Sequence, residues 1–422
     1  MKEIVTSEFE KEVIQGGKVV LDFYSSECPP CEALAPKFEN LAKLYGQDVK
    51  FLKIFRQQNR ELSDQLEVKS SPTLIFYDNG KEVGERLTGG IKRSDIIKNL
   101  NKLLPESKVA LITDKIKPTI SEFDVMILGA GPGGLTAGLY LCQARINTVL
   151  IDIALPGGHV ATTHEVSNYP GFIEPQAGYM LSHNMSEQTK LCGTDYKVAV
   201  DVTSVDLEKK EIILDEYETV KAKKIIIATG TSPNLMGVPG EIELKGKGIS
   251  YCATCDAKYY GDKEVVVIGG GNSAVEESDF ISKFASKITI VHQFDTLTAN
   301  KTAIEKLHAN PKISTLLEHE PRSFKRDGDK IITEVEDLKT KEIKTLISDG
   351  VFIFIGMKPN VQLFKDKLKL DKWGYIKTDE DMRTSLPDVF AVGDVISKKY
   401  RQITTAVADG TIAAISIAKE LN

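Results

Sequence analysis

A chain of 422 residues is long enough for two to four domains, each with its own core. Its 54 basic against 60 acidic residues make it mildly acidic, which excludes the positive field of a nucleic-acid or anionic-membrane binder. Six cysteines are too few for a secreted disulfide scaffold, no apolar run reaches bilayer length, and Met1–Val13 lacks the pattern of a signal peptide; a cytoplasmic protein without nucleic-acid or membrane partner is expected.

The first hundred residues alternate short apolar strands with amphipathic helices. Lys18–Tyr24 reads as a buried strand interrupted by one carboxylate, Asp22. Cys28-Pro29-Pro30-Cys31 follows, then a helix to Tyr45 with Leu34, Phe38, Leu41 and Leu44 at helical spacing. Lys50–Phe55 is a second strand, and Leu74–Tyr77 turns at Asp78-Asn79-Gly80 into Val83–Leu87 as a hairpin. Ser94–Leu104 closes the unit as a helix.

A Cys-x-Pro-Cys motif on a strand-to-helix turn in this element order resembles thioredoxin over about residues 1–105. The resemblance implies that Cys28 is the exposed nucleophile, Cys31 the resolving thiol, Asp22 the buried carboxylate that moves protons for Cys31, and Pro72 the cis proline facing the disulfide. Glu27 stands where that family usually has tryptophan, and Pro29 where it has glycine. A carboxylate beside Cys28 disfavours its thiolate, so these departures bear on redox potential and choice of partner.

Residues 106–121 are Lys-rich and weakly periodic and read as a linker. A flexible tether of about 16 residues reaches roughly 20–25 Å and gives the tethered domain a millimolar effective concentration.

Asp124–Leu128 is an apolar strand leading into Gly129-Ala130-Gly131-Pro132-Gly133-Gly134 and a helix through Gln143; a second strand, Thr148–Ile151, ends at Asp152. Gly129, Gly131 and Gly134 allow the tight turn, the approach of a pyrophosphate and close helix packing, and Asp152 can accept from a ribose hydroxyl. Cys142 and Cys192 have no partner at close spacing and read as small buried residues.

Cys252-Ala253-Thr254-Cys255-Asp256 places two thiols three apart at a helix start, where the dipole favours a thiolate, with Asp256 ready to exchange a proton. Half a zinc site is the weaker reading, because the other cysteine pair, Cys28 and Cys31, lies more than two hundred residues away. A second glycine turn follows: strand Glu264–Ile268, then Gly269, Gly271 and Ala274, a helix, and strand Lys287–Val291 ending at His292. Two fingerprints imply two dinucleotides and an internal duplication.

Together with Ser167-Asn168-Tyr169-Pro170-Gly171-Phe172, Ala228-Thr229-Gly230, Gly356-Met357-Lys358-Pro359, Ala391-Val392-Gly393-Asp394 and Arg401-Gln402, these motifs resemble low-molecular-weight bacterial thioredoxin reductase over residues 122–422. The resemblance implies an α/β chain: an N-terminal thioredoxin fold, then two Rossmann-like domains of the two-domain flavoprotein disulfide reductase type. FAD would bind across residues 122–234 and 358–422, contacting Gly129, Gly131, Gly134, Asp152, Asn168, Gly393, Asp394, Arg401 and Gln402. The domain at 235–357 would bind a nicotinamide at Gly269, Gly271, Ala274 and His292.

That family clamps the 2'-phosphate of NADPH with three arginines, all absent from His292-Gln293-Phe294-Asp295-Thr296-Leu297-Thr298-Ala299. The reading therefore leans to NADH over NADPH, with another low-potential donor such as a ferredoxin as an alternative. The resemblance also implies a homodimer, protein disulfides as substrates, reduction of the chain's own thioredoxin domain in cis or across the dimer, and rotation of the nicotinamide domain about crossings near 230–239 and 356–359. Two further readings are the flavoprotein that feeds a peroxiredoxin, whose N-terminal module is about twice this length, and a non-catalytic redox sensor.

Overall fold

The computed structural model describes residues 1–421 other than 164, 165 and 167, and leaves the side chains of 254 and 255 undescribed. Val19–Phe23 are five consecutive buried residues, so Lys18–Tyr24 (β1) takes the centre of the first sheet. It lies parallel to Lys50–Phe55 (β2) and antiparallel to Thr73–Asp78 (β3), while Pro29–Tyr45 (α1) and Arg93–Lys102 (α2) supply helical cover. The expected hairpin forms, but its return strand splits into Lys81–Glu82 and Leu87–Thr88. Between the two pieces Gly84 adopts φ +80.

The expected linker is largely regular structure. Glu106–Thr113 (α3) is a helix whose Ile112 is 2% exposed within the first domain's core, and Lys108 pairs with Asp48 at 2.9 Å. Burying one such apolar side chain is worth about 1.5–3 kcal/mol, which fastens the segment to the domain it was expected to swing. The run Val109-Ala110-Leu111-Ile112 carried this information, but its single anchoring residue shows no periodicity. Only Asp114–Pro118 separate α3 from the next strand, Thr119–Leu128 (β4).

β4 enters a seven-stranded sheet ordered Val202–Asp206, Glu211–Leu214, Glu218–Ile227 (β7), β4, Thr148–Asp152 (β5), Asp195–Val198 (β6), with Val389–Ala391 also on β7. Residues of β4 alternate between two cores: Met126 and Leu128 face one cluster, Val125 and Ile127 the other. Pro132–Gln143 (α4), Gly178–Cys192 (α5) and Ile403–Leu421 complete this unit.

The next unit is a parallel sheet ordered Ile249–Ser250, Gly350–Ile353 (β11), Glu264–Ile268 (β8), Lys287–His292 (β9), Ile313–Leu317 (β10), with a three-stranded antiparallel meander. Its helices include Ala253–Asp256 (α6), Asn272–Ile281 (α7) and Lys301–His308. The two crossings between the Rossmann units pair with each other, Thr231 with Pro359, Ser232 with Lys358 and Pro233 with Met357. Among the described residues no helix is long and apolar enough to cross a membrane.

Candidate active site

The first glycine turn opens a cavity of about 860 Å³ lined by Gly129, Gly131, Asp152, Thr162, Asp394 and Gln402. Gly129 has φ +109, and a Cβ there would stand 2.3 Å from the Ala228 carbonyl oxygen. Gly134 meets the Gly129 carbonyl at 1.9 Å by the same measure, so α4 packs against the turn as only glycine permits. Gly131 caps the N-terminus of α4 with open space beside it. Asp152 Oδ2 accepts from Ala130 N at 2.7 Å and Oδ1 from Ala154 N at 2.8 Å; burial raises its pKa against the pull of those amides.

At the other margin Gly393 N donates to Asp409 Oδ2 at 3.0 Å. Asp394 Oδ1 is buried without a hydrogen-bond partner, and burial raises this carboxyl despite Lys398 and Arg401 nearby. The Arg401 guanidinium stacks 3.8 Å from the Tyr375 ring centroid and donates to the Asp394 and Ile396 carbonyls at 3.2 Å. Asn168 Nδ2 donates to Gln402 Oε1 at 3.2 Å; Ser167, which opens that motif, lies outside the described residues. An open helix N-terminus and a carboxylate oxygen free to accept a hydrogen bond in one cavity fit the pyrophosphate and hydroxyls of a flavin dinucleotide.

Cys252 immediately precedes α6 and is disulfide-bonded, with Sγ 3.8 Å from the Thr162 carbonyl on the cavity wall. The Cys255 side chain lies outside the described residues. Asp256 ends α6 and is half-buried. Tyr251, just before the motif, donates to Glu241 Oε1 at 2.6 Å, and the same carboxylate accepts from Met236 N and Gly237 N at 2.9 and 2.7 Å. Glu241 is fully buried, an anchor that sequence reasoning missed: a lone acid after Pro239-Gly240 carries no spacing signal.

The second glycine turn keeps Gly269 at φ +129 and Gly271 as the cap of α7, with Ala274 fully buried. His292 is 7% exposed, its Nε2 has no partner, and its ring lies where a Cβ on Gly270 would come within 2.4 Å. Burial lowers its pKa, so it favours the neutral imidazole. Thr298 N donates to the Gly270 carbonyl at 2.8 Å and Asn300 N to Asn272 Oδ1 at 2.7 Å. The segment that lacks arginines thus folds back on the turn without offering a cation.

In the N-terminal domain Cys28 and Cys31 form a disulfide with Cα atoms 5.2 Å apart. Cys28, expected to be the exposed thiol, is instead buried at 7% exposure, more so than Cys31, because it is the N-cap of α1 and its Sγ accepts from Cys31 N at 3.2 Å. The Ser71–Pro72 bond is cis, and Cys28 Sγ lies 3.5 Å from the Ser71 carbonyl. Asp22, in mid β1, is 2% exposed with Oδ1 unpartnered; burial pushes its carboxyl up to about 7, although Lys53 opposes this.

Cys142 and Cys192 differ from expectation. Both thiols are free and half-buried, Cys142 Sγ donates to the Cys192 carbonyl at 2.6 Å, and the two side chains interact. They converge because α4 and α5 pack side by side and both end there, a meeting that separation in sequence conceals.

Residues 123–410 match the family model of pyridine nucleotide-disulphide oxidoreductases, and residues 1–102 that of thioredoxin. The thioredoxin reductase of Peptoclostridium acidaminophilum is 43% identical over 304 residues, 70% of this chain and 96% of its own length. That of Bacillus subtilis is 40% identical over 297 residues, 70% of this chain and 93% of its own length. Among solved structures, Lactococcus lactis thioredoxin reductase in its FR conformation superposes with a TM-score of 0.66 at 38% identity, covering 70% of this chain and 98% of its own. T. acidophilum thioredoxin reductase gives 0.65 at 34%, covering 71% and 99%. None of these relatives favours the peroxiredoxin-linked alternative. The chain therefore belongs to the flavin-dependent thioredoxin reductases among the pyridine nucleotide-disulphide oxidoreductases, and it carries a thioredoxin domain of its own ahead of the reductase.

Proposed function

We propose that two electrons pass from a nicotinamide through FAD to Cys252 and Cys255, then to the Cys28–Cys31 disulfide, and from there to protein disulfides. The supporting observation is that Cys252 Sγ lies 3.8 Å from the Thr162 carbonyl, on the wall of the cavity that Gly129 opens. Bound FAD supplies hydride acceptance and two-electron delivery to sulfur. Gly129, Gly131 and the α4 N-terminus would hold its pyrophosphate, Asp152 a ribose, and Asp394 would accept from its hydroxyls; Asn168, Gln402 and Arg401 would border it.

The chain's own chemistry is thiol exchange. A thiolate of the reduced 252/255 pair attacks the Cys28–Cys31 bond, forming a mixed disulfide as that bond breaks. The second thiol of the first pair then displaces the N-terminal domain, which leaves with two thiols. Two electrons and two protons have moved. Asp256 serves as proton donor at the first pair, and Asp22, poised at about 7, exchanges the proton of Cys31 near neutrality. The amide of Cys31 at the α1 N-terminus favours the Cys28 thiolate and offsets Glu27 beside it.

NADH is the favoured donor, because the segment beyond His292 offers no guanidinium to a 2'-phosphate. Gly269, Gly271 and Ala274 form its cradle. The nicotinamide domain rotates about the paired crossings, and the assembly is a cytoplasmic homodimer joined through its FAD domains. Anaerobic titration with NADH and NADPH in parallel, following flavin bleaching and counting thiols, tests this. Rapid bleaching by NADH with four new thiols per chain is expected; a flavin that neither donor reduces refutes the nicotinamide step.

A further inference from the structure

The N-terminal domain rests on the FAD domain through the surface that surrounds its disulfide. Glu32, one residue past Cys31, pairs with Lys190 in α5. Gly90 belongs to the same rim, because Thr88 pairs with Thr73, the residue after cis Pro72. A Cβ on Gly90 would stand 3.2 Å from Leu155 Cγ and 3.8 Å from Ala199 Cβ.

Lys37 holds this contact. Its Nζ donates to the carbonyls of Val198 at 2.9 Å and Ala199 at 2.6 Å on the FAD domain, and to Ile91 at 3.1 Å on its own. Three carbonyls from two domains satisfy all three ammonium protons. Ala199 turns its carbonyl to that ammonium from φ +52, a left-handed conformation that costs a residue with a Cβ and persists where surroundings impose it. Lys92 pairs with Asp201 at 2.8 Å, Ser94 donates to the same carboxylate, and the Arg93 guanidinium lies 4.6 Å from the Tyr217 ring centroid. Gly90 and Leu155 also line the flavin cavity on the side of Asp152.

No mixed disulfide joins the two cysteine pairs in this contact. Cys28 is bonded to Cys31, and Cys252 is disulfide-bonded against Thr162. Yet the rim engaged here is the one Cys28 must present to any disulfide it exchanges with. We propose that the edge formed by Leu155, Lys190 and Val198–Asp201 is a resting dock for the chain's own thioredoxin domain, which must be vacated before Cys28 meets Cys252 or a foreign protein disulfide. The inference rests on the electron path above only for the first of those encounters. Docking and turnover then compete, and exposure of the N-terminal dithiol is set by how tightly the Lys37 and Lys92 contacts hold.

The test uses the full FAD-loaded chain and reversal of one half-buried ion pair, Lys92→Glu and Asp201→Lys, singly and together. Insulin-disulfide reduction is measured with dithiothreitol as donor, which bypasses the flavin, and then with nicotinamide; small-angle scattering gives the radius of gyration. Each single variant is expected to raise the dithiothreitol-driven rate at least threefold and to enlarge the radius, and the double variant to restore both. Single variants with unchanged rate and radius overturn the dock, as does a rate that falls in both and returns in the double variant, which makes the contact productive. A chain inert with nicotinamide whose single variants still gain rate and radius with dithiothreitol refutes the electron path and supports the dock.

Discussion

Replacing Asp22 by asparagine removes the one titrating group buried in the centre of β1. Its carboxyl stands at about 7 against an ordinary 3.8, because burial penalises the charge and Lys53 only partly offsets this. A pKa raised in the folded state means that the fold favours the protonated acid: the contribution is whole below the unfolded value and is lost as pH rises through the folded one. Roughly three units at 1.36 kcal/mol each amount to about 4 kcal/mol of ionisation cost by pH 8, about 3 of which accrue between pH 5 and pH 8. Asparagine does not titrate, and any cost of its buried amide is the same at every pH. The stability of Asp22→Asn relative to wild type should therefore rise by about 1.4 kcal/mol per pH unit from pH 5 and level off above 7. Native-state hydrogen exchange of the β1 amides in the full chain, expressed as the variant-to-wild-type ratio, reads this directly. A ratio flat with pH refutes the burial argument, and with it Asp22 as a neutral-pH proton carrier.

Gly129→Ala should yield protein with FAD affinity lowered at least tenfold, measured by flavin fluorescence on dilution, since its Cβ would enter the Ala228 carbonyl at φ +109. Glu241→Ala strands two backbone amides and the Tyr251 hydroxyl in a buried site. It should cost about 2–4 kcal/mol and speed exchange at Met236 and Gly237, whereas Tyr251→Phe costs about 1 kcal/mol. Ile112→Ala should cost about 2–5 kcal/mol of α3 docking, seen as early protease cleavage within residues 106–118. Burial, then its contact with Cys192, pushes the Cys142 thiol up to about 11, so it should resist iodoacetamide at pH 8 in the folded chain and react on unfolding.

Both glycine turns, the Cys28–Cys31 pair and the strand that carries Asp22 were legible in the sequence, because each rests on local spacing: a turn, a cap or a period of two. Three features were not. The apolar anchoring of α3 rests on Ile112, and one apolar residue makes no period. Glu241 acts through backbone amides four and five residues away and through Tyr251, none of which marks it as special in a string of letters. The contact of Lys37 with Val198 and Ala199 spans more than 160 residues, and a lysine on an amphipathic helix looks solvated until a second domain is laid over it.

The rotation proposed above would be limited by the ladder that joins Thr231–Pro233 to Met357–Pro359. Two independent strings would let the nicotinamide domain tumble about any axis. Hydrogen-bonded to each other, the strings become a flat strap that twists easily and resists bending in its own plane, so the motion collapses towards a single angular coordinate. A lesion in either strand then loosens the same pivot: breaking the ladder at Thr231 or at Lys358 should blur the stopping points of the swing alike, although more than a hundred residues separate the two sites.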